Sequence, residues 1–326
     1  MTSPDTPPTG RPGSVAAPAT GRPGSADTPP TGRPGSVAAP ATGRPGSADT
    51  PATGRPGSAG TPTTGRPGEA DAPGRGAVVP PGSDLRIVGI VQARMGSSRL
   101  PGKVLRPLAG RSVLGRVVRA ARDSGVLADL MVATSVDPVD DAVVTECARL
   151  DVPVHRGPVD DVLSRFVGAL DAHPGDAVMR FTADCPLLDP EIVSLVAAVY
   201  RAVPGLDYAS TSIARTLPRG LDVEIIRADA LRTLDRLATG HHRVHVTSYA
   251  YTRPELFRVL GVTLTPDRSG LRLTLDTDQD WALVSAVVDH FGDVSVPLAK
   301  LADWLDGRPD LRTLNSSVRQ KRLEES

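Results

Sequence analysis

The sequence contains few of the residues that several protein classes require. Only two of its 326 residues are cysteines, Cys147 and Cys185, too few for a disulfide framework or a cysteine-rich metal site. We expect both to be small buried residues. No stretch approaches the roughly 20 apolar residues of a membrane-spanning helix, and the first residues lack a basic segment followed by an apolar one. We therefore expect a cytoplasmic protein without a membrane partner.

The chain also lacks an excess of either charge. Its 37 Lys and Arg residues balance its 37 Asp and Glu residues, so the net charge is zero with histidine neutral. Such a chain has no overall electrostatic attraction for nucleic acid or for an anionic membrane surface. We expect neither as a partner.

Aromatic residues are absent from the first half of the chain, since all ten lie at or after Phe166. Residues 1–83 instead hold 18 of the 32 prolines and 16 of the 32 glycines. A segment with nothing large to bury cannot offset its conformational entropy. We predict a disordered tail over residues 1–83 and one catalytic domain over residues 84–326.

The tail repeats the segment Thr-Gly-Arg-Pro-Gly at a spacing of 11 residues, beginning at Thr9, Thr20, Thr31, Thr42, Thr53 and Thr64. Proline removes helical hydrogen bonds and glycine adds backbone entropy, so the period indicates duplication and not a helical repeat. The tail is typical of a solvated tether. One arginine in each repeat leaves open an acidic binding partner.

After residue 84 the apolar pattern alternates between that of a strand and that of a helix. We predict strands over 85–91, 129–136, 152–155 and 177–182, and helices over 112–123, from Pro138, over 160–172 and after Pro190. Repeated units of this kind predict a largely parallel sheet with helices on both faces. Further strands at 222–226, 257–264 and 271–275 predict a mixed sheet in the last part. Ligands of such folds bind beyond the carboxyl ends of the strands.

The first strand leads into a loop, residues 92–103, with three cations, two glycines and two serines. Glycines let backbone N–H groups approach a phosphate, and Arg94, Arg99 and Lys103 would neutralise its charge. The spacing is not that of the common P-loop. The alternative to a phosphate-binding loop is a solvated basic loop.

Carboxylates follow two of the predicted strands. Asp184 lies just after the strand at 177–182, and Asp276 follows the segment 271–275. Mg²⁺ takes few protein oxygens and leaves its other positions to phosphate and water, so two such carboxylates suit a magnesium–nucleotide site. We interpret the nearby Asp189 and Asp278 as helix N-caps.

Several segments together resemble the cytidylyltransferase family, especially its spore coat polysaccharide biosynthesis branch and, more distantly, the synthetases of CMP-sialic acid and CMP-ketodeoxyoctulosonate. The segments lie in the family's order at residues 92–103, 133–135, 156–157, 161–163, 180–190, 220–224, 245–247 and 275–277. The resemblance implies a nucleotide-diphosphosugar transferase-like fold, Rossmann-like and of GT-A type. It also implies transfer of CMP from CTP to an acceptor oxygen with Mg²⁺ and release of pyrophosphate, and a homodimer.

The resemblance also implies roles for single residues. Phosphate binding falls on Arg94, Arg99 and Lys103, metal binding on Asp184 and Asp276, and catalysis on Arg94, Lys103 and Asp184. The segments that line the nucleotide pocket contain Ala93, Thr134, Arg156, Asp161 and Arg165. The residues that face a sugar or sugar-like acid acceptor are Asp222, Glu224 and His245. The product would serve surface polysaccharide or secondary-metabolite synthesis.

His245 permits two interpretations, a general base or a hydrogen-bonded structural residue. Its segment reads Arg-Val-His-Val, where the family has Arg-Glu-His-Val. Two other functions stay open at this stage. One is a GT-A glycosyltransferase in which Asp276 and Asp278 hold a nucleotide sugar, and the other is a non-catalytic scaffold whose tail recruits a partner.

Overall fold

The computed structural model describes residues 85–320. The predicted repeat tail, residues 1–83, lies outside this range. Nine strands are found among the described residues: β1 Ile87–Gln92, β2 Pro107–Leu108, β3 Arg111–Ser112, β4 Asp129–Ser135, β5 Val154–Gly157, β6 Ala177–Thr182, β7 Tyr208–Ser210, β8 Glu224–Arg227 and β9 Val259–Gly261. Seven of them form one sheet in the order β5-β4-β1-β6-β8-β7-β9, and β2 and β3 form a separate hairpin.

The large sheet is mostly parallel, as predicted. Strands β1, β4, β5 and β6 pair in parallel, and so do β7 and β9. Strand β8 runs antiparallel to both of its neighbours, which makes the last part of the sheet mixed. The sequence analysis predicted neither β7 nor the β2–β3 hairpin, because strands of two or three residues carry no readable alternation.

Helices cover the sheet, and their bounds within residues 85–320 are α1 Val113–Asp123, α2 Asp141–Arg149, α3 Val162–Ala172, α4 Pro190–Ala202, α5 Ala228–Leu237, α6 His241–Val244, α7 Ser248–Tyr251, α8 Asp278–Phe291, α9 Leu298–Asp306 and α10 Pro309–Arg312. Short 3₁₀ turns occur at Lys103–Leu105 and Pro138–Asp140. None of these helices is long and apolar enough to cross a membrane.

Strand β1 has an apolar core on each of its faces. Ile87 and Val91 pack in a core with residues of α1, α4, α8 and α9, whereas Val88 and Ile90 pack in a second core with residues of α3 and α5. Because side chains alternate across a strand, an unbroken apolar run is what a doubly covered strand requires. The predicted arrangement of helices on both faces is confirmed.

The predicted strand at 271–275 is wrong. Among residues 85–320 its only ladder contact is an isolated bridge between Arg219 and Arg272, flanked by hydrogen bonds from Arg219 N to Leu271 O and from Leu273 N to Arg219 O. The segment that contains Arg219 turns away at Gly220, whose φ is +102°. A Cβ on Gly220 would lie 2.5 Å from the backbone of Leu273, so glycine permits this approach. The segment is extended and buried without becoming a strand.

The two predicted helix caps have different outcomes. Asp189 is the N-cap of α4, and its carboxylate accepts a hydrogen bond from Glu191 N. Asp278 is not a cap. Helix α8 is capped by Thr277, which exchanges side-chain to backbone hydrogen bonds with Asp280 in a capping box. This reciprocal pair satisfies two N–H groups where a lone Asp278 cap would satisfy one.

Candidate active site

A cleft of about 270 Å³ lies at the carboxyl ends of β1 and β6. Both neighbours of β1 run parallel to it, so their carboxyl ends meet at this edge, where α/β sheets bind ligands. Six of the predicted site residues line the cleft: Arg94, Arg99, Lys103, Asp184, Asp276 and His245. The other seven do not.

The loop of residues 92–103, here called the cationic loop, is held at both of its ends by backbone contacts. Ala93 N donates to Ala133 O on β4, and Gly102 N donates to Met95 O. Gly102 has a φ of 66°, a left-handed conformation that glycine adopts without strain. In the middle, Met95 N donates to the buried carboxylate of Asp140 at 2.7 Å. The loop is therefore fixed around an exposed stretch that presents Arg94 to the cleft.

Lys103 is buried with its ammonium group between two carboxylates. Its Nζ donates to Asp184 Oδ2 at 2.8 Å, to Asp276 Oδ1 at 2.9 Å and to the backbone oxygen of Leu275 at 2.6 Å. Burial alone would lower the pKa of Lys103, but the two carboxylates outweigh it and raise the pKa above its ordinary value. Lys103 is therefore charged and joins the loop to both candidate metal-binding residues.

Asp276 is surrounded by cations. Besides Lys103 it contacts Arg99 Nη2 at 3.1 Å and Arg272 Nη2 at 2.7 Å. Burial tends to raise the pKa of Asp276, but these three cations outweigh burial and hold the pKa below its ordinary value. The carboxylate is ionised at neutral pH.

A buried ion pair supports Asp276 from behind. Arg272 donates from Nε and Nη2 to the two carboxylate oxygens of the fully buried Asp280, at 2.8 and 3.0 Å. The same carboxylate accepts from Asp276 N and Thr277 N, each at 3.0 Å, and from Asn315 Nδ2 at 2.8 Å. The sequence analysis assigned no role to Arg272, Asp280 or Asn315. Only the capping-box spacing from Thr277 to Asp280 could have indicated one of them.

Two of the predicted nucleotide-pocket residues carry buried polar atoms without partners. Thr134 and Arg165 are both 0% exposed. Within residues 85–320, Thr134 Oγ1 and all three guanidinium nitrogens of Arg165 have no hydrogen-bond partner. Burial lowers the pKa of Arg165, and the charge of Arg94 lowers it further. Buried polar atoms are normally paired, so this pair marks a place that a polar ligand would complete.

Space for Arg165 comes from Gly157, at the end of β5. A Cβ on Gly157 would lie 2.7 Å from Arg165 Cγ. Ala93 is also buried, at 2% exposure, beneath the start of the cationic loop. A small residue at each position lets neighbouring elements approach closely.

Arg156 and Asp161 contact neighbouring segments and do not line the cleft. Arg156 donates from Nε to Ser135 O at 2.9 Å and from Nη2 to Asp137 O at 3.0 Å, which holds the turn after β4. Asp161 caps α3 through Ser164 N and accepts from Arg243 Nε at 2.7 Å. These two side chains therefore hold the turn after β4 and the start of α3 in place.

Of the three predicted acceptor residues, His245 alone lines the cleft. It is the C-cap of α6 and does not lie within a longer apolar helix. Asp222 pairs with Arg215 Nη1 at 2.6 Å, and burial raises the pKa of Asp222 more than Arg215 lowers it. Glu224 is 8% exposed and accepts from Arg180, Tyr208 and Thr247.

Arg180 is a cleft residue that the sequence analysis did not select. It lies on β6, pairs with Glu224 and donates from Nη2 to Gln92 Oε1 at 3.2 Å. The signal was a single cation within the otherwise apolar strand Ala177–Thr182. A charge in such a strand is retained only where it is paired or functional.

The donor set suits a hard divalent cation. Among residues 85–320 no group of three or more His, Cys, Asp and Glu side chains forms a metal cluster. Oxygens of Asp184 and Asp276 nevertheless converge to within 2.9 Å of one ammonium group. Mg²⁺ commonly uses one or two carboxylates and completes its coordination with phosphate and water, so two carboxylates are sufficient.

A mostly parallel α/β sheet with a cationic loop and carboxylates at its switch point defines a nucleotide-binding protein of the Rossmann-like class. The cytidylyltransferase family model matches residues 88–288. The chain belongs to the cytidylyltransferase family and is an enzyme, which confirms the resemblance inferred from its motifs.

Individual relatives agree with this assignment. The chain is 33% identical to spore coat polysaccharide biosynthesis protein SpsF of Bacillus subtilis, over 70% of this chain and 97% of that protein. It is 37% identical to an uncharacterized protein of Methanocaldococcus jannaschii, over 74% of this chain and 99% of that protein. It is 31% identical to 3-deoxy-manno-octulosonate cytidylyltransferase of Acidobacterium capsulatum, over 57% of this chain and 80% of that protein.

The fold also matches that of a solved structure. A cytidylyltransferase from Leptospira borgpetersenii serovar Hardjo-bovis superposes with a TM-score of 0.68 at 26% sequence identity. The match covers 73% of this chain and all of that one.

Proposed function

We propose that this enzyme transfers CMP from CTP to an oxygen of a sugar or sugar-like acid and releases pyrophosphate, with Mg²⁺ as its metal. The product would enter a surface polysaccharide or a secondary metabolite. The observation that carries the proposal is the bridge that Lys103 makes between Asp184 and Asp276 at the edge of the cleft. Relatives named for polysaccharide biosynthesis and for a sugar-acid cytidylyltransferase support the choice of acceptor.

Asp184 and Asp276 would hold the magnesium ion, which would supply neutralisation of the triphosphate. Lys103 already lies between these carboxylates, so its ammonium would exchange a carboxylate partner for a phosphate oxygen when the nucleotide binds. Arg94 is exposed in the loop and makes no hydrogen bond or ion pair with the described residues, so its full charge is available to the β- and γ-phosphates. Arg99, paired with Asp276, would reach the same groups.

The acceptor oxygen would attack the α-phosphorus in line. A bond forms between that oxygen and the α-phosphorus, while the bond from the α-phosphorus to the bridging oxygen breaks and leaves its electrons on pyrophosphate. Lys103 and Arg94 would stabilise the negative charge that develops there. Positioning and charge neutralisation are the main contributions of a protein to phosphoryl transfer.

Thr134 and Arg165 are fully buried and do not line the cleft, so they would receive the nucleoside part of CTP only when the segments that cover them open. Their polar atoms are buried and unpaired in the described residues, so a ligand oxygen would gain hydrogen bonds without breaking any in the protein. Arg156 and Asp161 would act by holding the surrounding loops, and Ala93 by leaving space beneath the cationic loop.

Arg180 and His245 would face the acceptor. Glu224 accepts a hydrogen bond from Arg180 and fixes its guanidinium at the edge of the cleft, where the charge suits an acidic acceptor. Glu224 and Asp222 would therefore act through the arginines with which they pair. If the attacking oxygen belongs to a carboxylate, no base is needed; if it belongs to a hydroxyl group, His245 is the side chain in the cleft suited to accept the proton.

The glycosyltransferase interpretation receives no support from the site. It requires Asp276 and Asp278 to act together, but Asp278 is exposed at the start of α8 and does not line the cleft. The scaffold interpretation does not suit an enzyme family, and the catalytic side chains that the proposal requires are present.

The test measures pyrophosphate release by the full chain from CTP, UTP, GTP and ATP, with Mg²⁺ or with chelator, over a panel of sugar acids and neutral sugars. The proposal expects release with CTP and Mg²⁺ and only with an acidic sugar or a close analogue. Consumption of another triphosphate in preference to CTP would contradict the donor. Equal turnover of neutral sugars would contradict the acceptor class.

A further inference from the structure

A second cavity, of about 540 Å³, lies apart from the cleft and is twice as large. It is enclosed by the turn at Arg219, the segment 269–272, helices α8 to α10 and the residues that follow α10. The two cavities share no lining residue. No role in the proposed transfer reaction uses this second cavity, although its volume is within the range that small-molecule ligands occupy.

The charge of the cavity wall is of one sign. The lining includes three arginines, Arg219, Arg272 and Arg312, and no aspartate or glutamate. Arg272 is paired with Asp280 behind the wall, and Arg312 Nη1 lies 3.1 Å from Asp306. Arg272 also contacts Asp276, so it has two carboxylate partners and Arg312 has one, all of which lie outside the lining.

Arg219 is the exception. Within residues 85–320 its guanidinium makes no hydrogen bond and no ion pair. Burial lowers the pKa of Arg219, the like charge of Arg215 lowers it further, and the more weakly acting charges of Asp222 and Arg272 oppose each other. An anion placed against Arg219 would relieve this repulsion and would make charge-assisted hydrogen bonds that the protein itself does not supply.

The remaining wall suits a small organic ligand. The lining also includes Ser269, Thr313 and Ser316, whose hydroxyl groups donate to Asp267, Asp310 O and Thr313 O and can still accept a hydrogen bond. Leu283 and Leu305 supply apolar contact. We propose that this cavity binds a small molecule that carries a phosphate group, with Arg219 as its main contact and Arg312 as the second. A dianionic phosphate matches the excess of guanidinium groups better than a single carboxylate does.

Arg272 connects this cavity to the active site. Its Nη1 donates to Gln320 Oε1 at 2.7 Å on the cavity side, and its Nη2 donates to Asp276 Oδ2 at 2.7 Å on the cleft side. An anion that attracts Arg272 weakens its contact with Asp276. Binding in the cavity would therefore change the affinity of the cleft for nucleotide, and the coupling must be reciprocal. Only this coupling step rests on the proposed function.

Calorimetry of the full chain with inorganic phosphate tests the site. We expect Arg219→Gln to weaken binding by about tenfold or more, and Arg308→Gln to leave it unchanged, because Arg308 is nearby on the surface but does not line the cavity. Loss of binding in Arg94→Gln with retention in Arg219→Gln would place the ion in the cleft and overturn the proposal. Acetate that binds as tightly as phosphate would overturn the assignment to phosphate.

Two further measurements complete the test. If phosphate binds to a chain that ends at Gln320 but not to the full chain, residues 321–326 fill the cavity in the full chain, and the proposal is overturned. The dissociation constant of CTP is then measured with and without phosphate. A change that Arg219→Gln abolishes is the coupling through Arg272, whereas a change that survives in Arg219→Gln is competition in the cleft and contradicts the coupling. If CTP itself does not bind, the proposed function fails while the phosphate result stands.

Discussion

Lys103 and Asp184 are 81 positions apart in the sequence, yet the ammonium nitrogen of one lies 2.8 Å from a carboxylate oxygen of the other. One comes from the loop after β1 and the other from the end of the neighbouring strand β6. The parallel pairing of these strands brings both ends to one edge of the sheet. The contact therefore follows from the topology, and it places a phosphate-binding cation against a candidate metal ligand.

Replacing Lys103 by methionine is expected to lower turnover by about 10² to 10³, the magnitude typical of losing one group that stabilises transition-state charge. The matched control is Lys300→Met, since Lys300 is exposed on α9, lies over the ring of Phe291 and does not line the cleft. The measurement is kcat for pyrophosphate release, with circular dichroism to compare the folds. Equal kcat values for the two variants would remove Lys103 from the mechanism.

Replacing Asp280 by asparagine is expected to destabilise the protein by about 3 kcal/mol, because the buried Arg272 would keep Asp276 as a carboxylate partner but lose the fully buried Asp280. Asp278→Asn is the control, since Asp278 is exposed in the same turn of α8 and its loss should cost less than about 0.5 kcal/mol. Chemical denaturation measures both. Equal free energies of unfolding would show that the Arg272–Asp280 pair contributes no stability.

The sequence predicts the parts of the site that depend on the ends of strands. Lys103 and Asp184 could be selected because they follow β1 and β6, and strand ends are where α/β folds bind ligands. Asp276 is selected on the same ground, although the segment 271–275 before it is not a strand. Arg272, by contrast, lies within a segment predicted as a strand, and its role depends on contacts with Asp280 and Asn315. The contact with Asn315 spans 43 positions, and the contact with Asp280 depends on the turn that leads into α8, so neither leaves a local pattern.

The sequence also does not show whether a selected side chain has hydrogen-bond partners within the protein. Arg156 and Arg165 both fall in predicted nucleotide-binding segments, but Arg156 has three protein acceptors and Arg165 has none among residues 85–320. Arg156 lies beside the backbone oxygens of the turn after β4, whereas Arg165 packs against Gly157 at the end of β5. In the same way Glu224 proves to be the partner of Arg180, a pairing across β6 and β8 that requires knowing the strand order.

The acid stability of the protein should depend on Asp276. Its pKa in the folded state lies below the ordinary value, so its contribution to stability is present above the unfolded-state pKa and is lost as the pH falls through the folded-state pKa. The difference in unfolding free energy between the native chain and Asp276→Asn should therefore shrink as the pH is lowered below about 4. Taking the difference removes the titration of groups that contact neither Asp276 nor its partners. A difference that stays constant from pH 6 to pH 3 would contradict the lowered pKa.

Replacing Arg165 by methionine should have opposite effects on stability and on binding. The guanidinium is buried without a partner in the described residues, and replacing a buried charge by an apolar side chain of similar volume often stabilises a protein by about 1–4 kcal/mol. Binding of CTP should weaken, because the proposed contact with the nucleotide is lost. The measurements are the melting temperature without ligand and the dissociation constant of CTP.

Arg116→Met is the matched control for that variant. Arg116 is equally buried, at 1% exposure, but it donates twice to Leu108 O and contacts Asp293. Its replacement removes satisfied contacts, so it should lower the melting temperature and, among folded molecules, leave the affinity for CTP unchanged. If Arg165→Met also lowers the melting temperature and binds CTP as tightly as the native chain, Arg165 is a structural residue, and the nucleotide is bound by the residues that line the cleft.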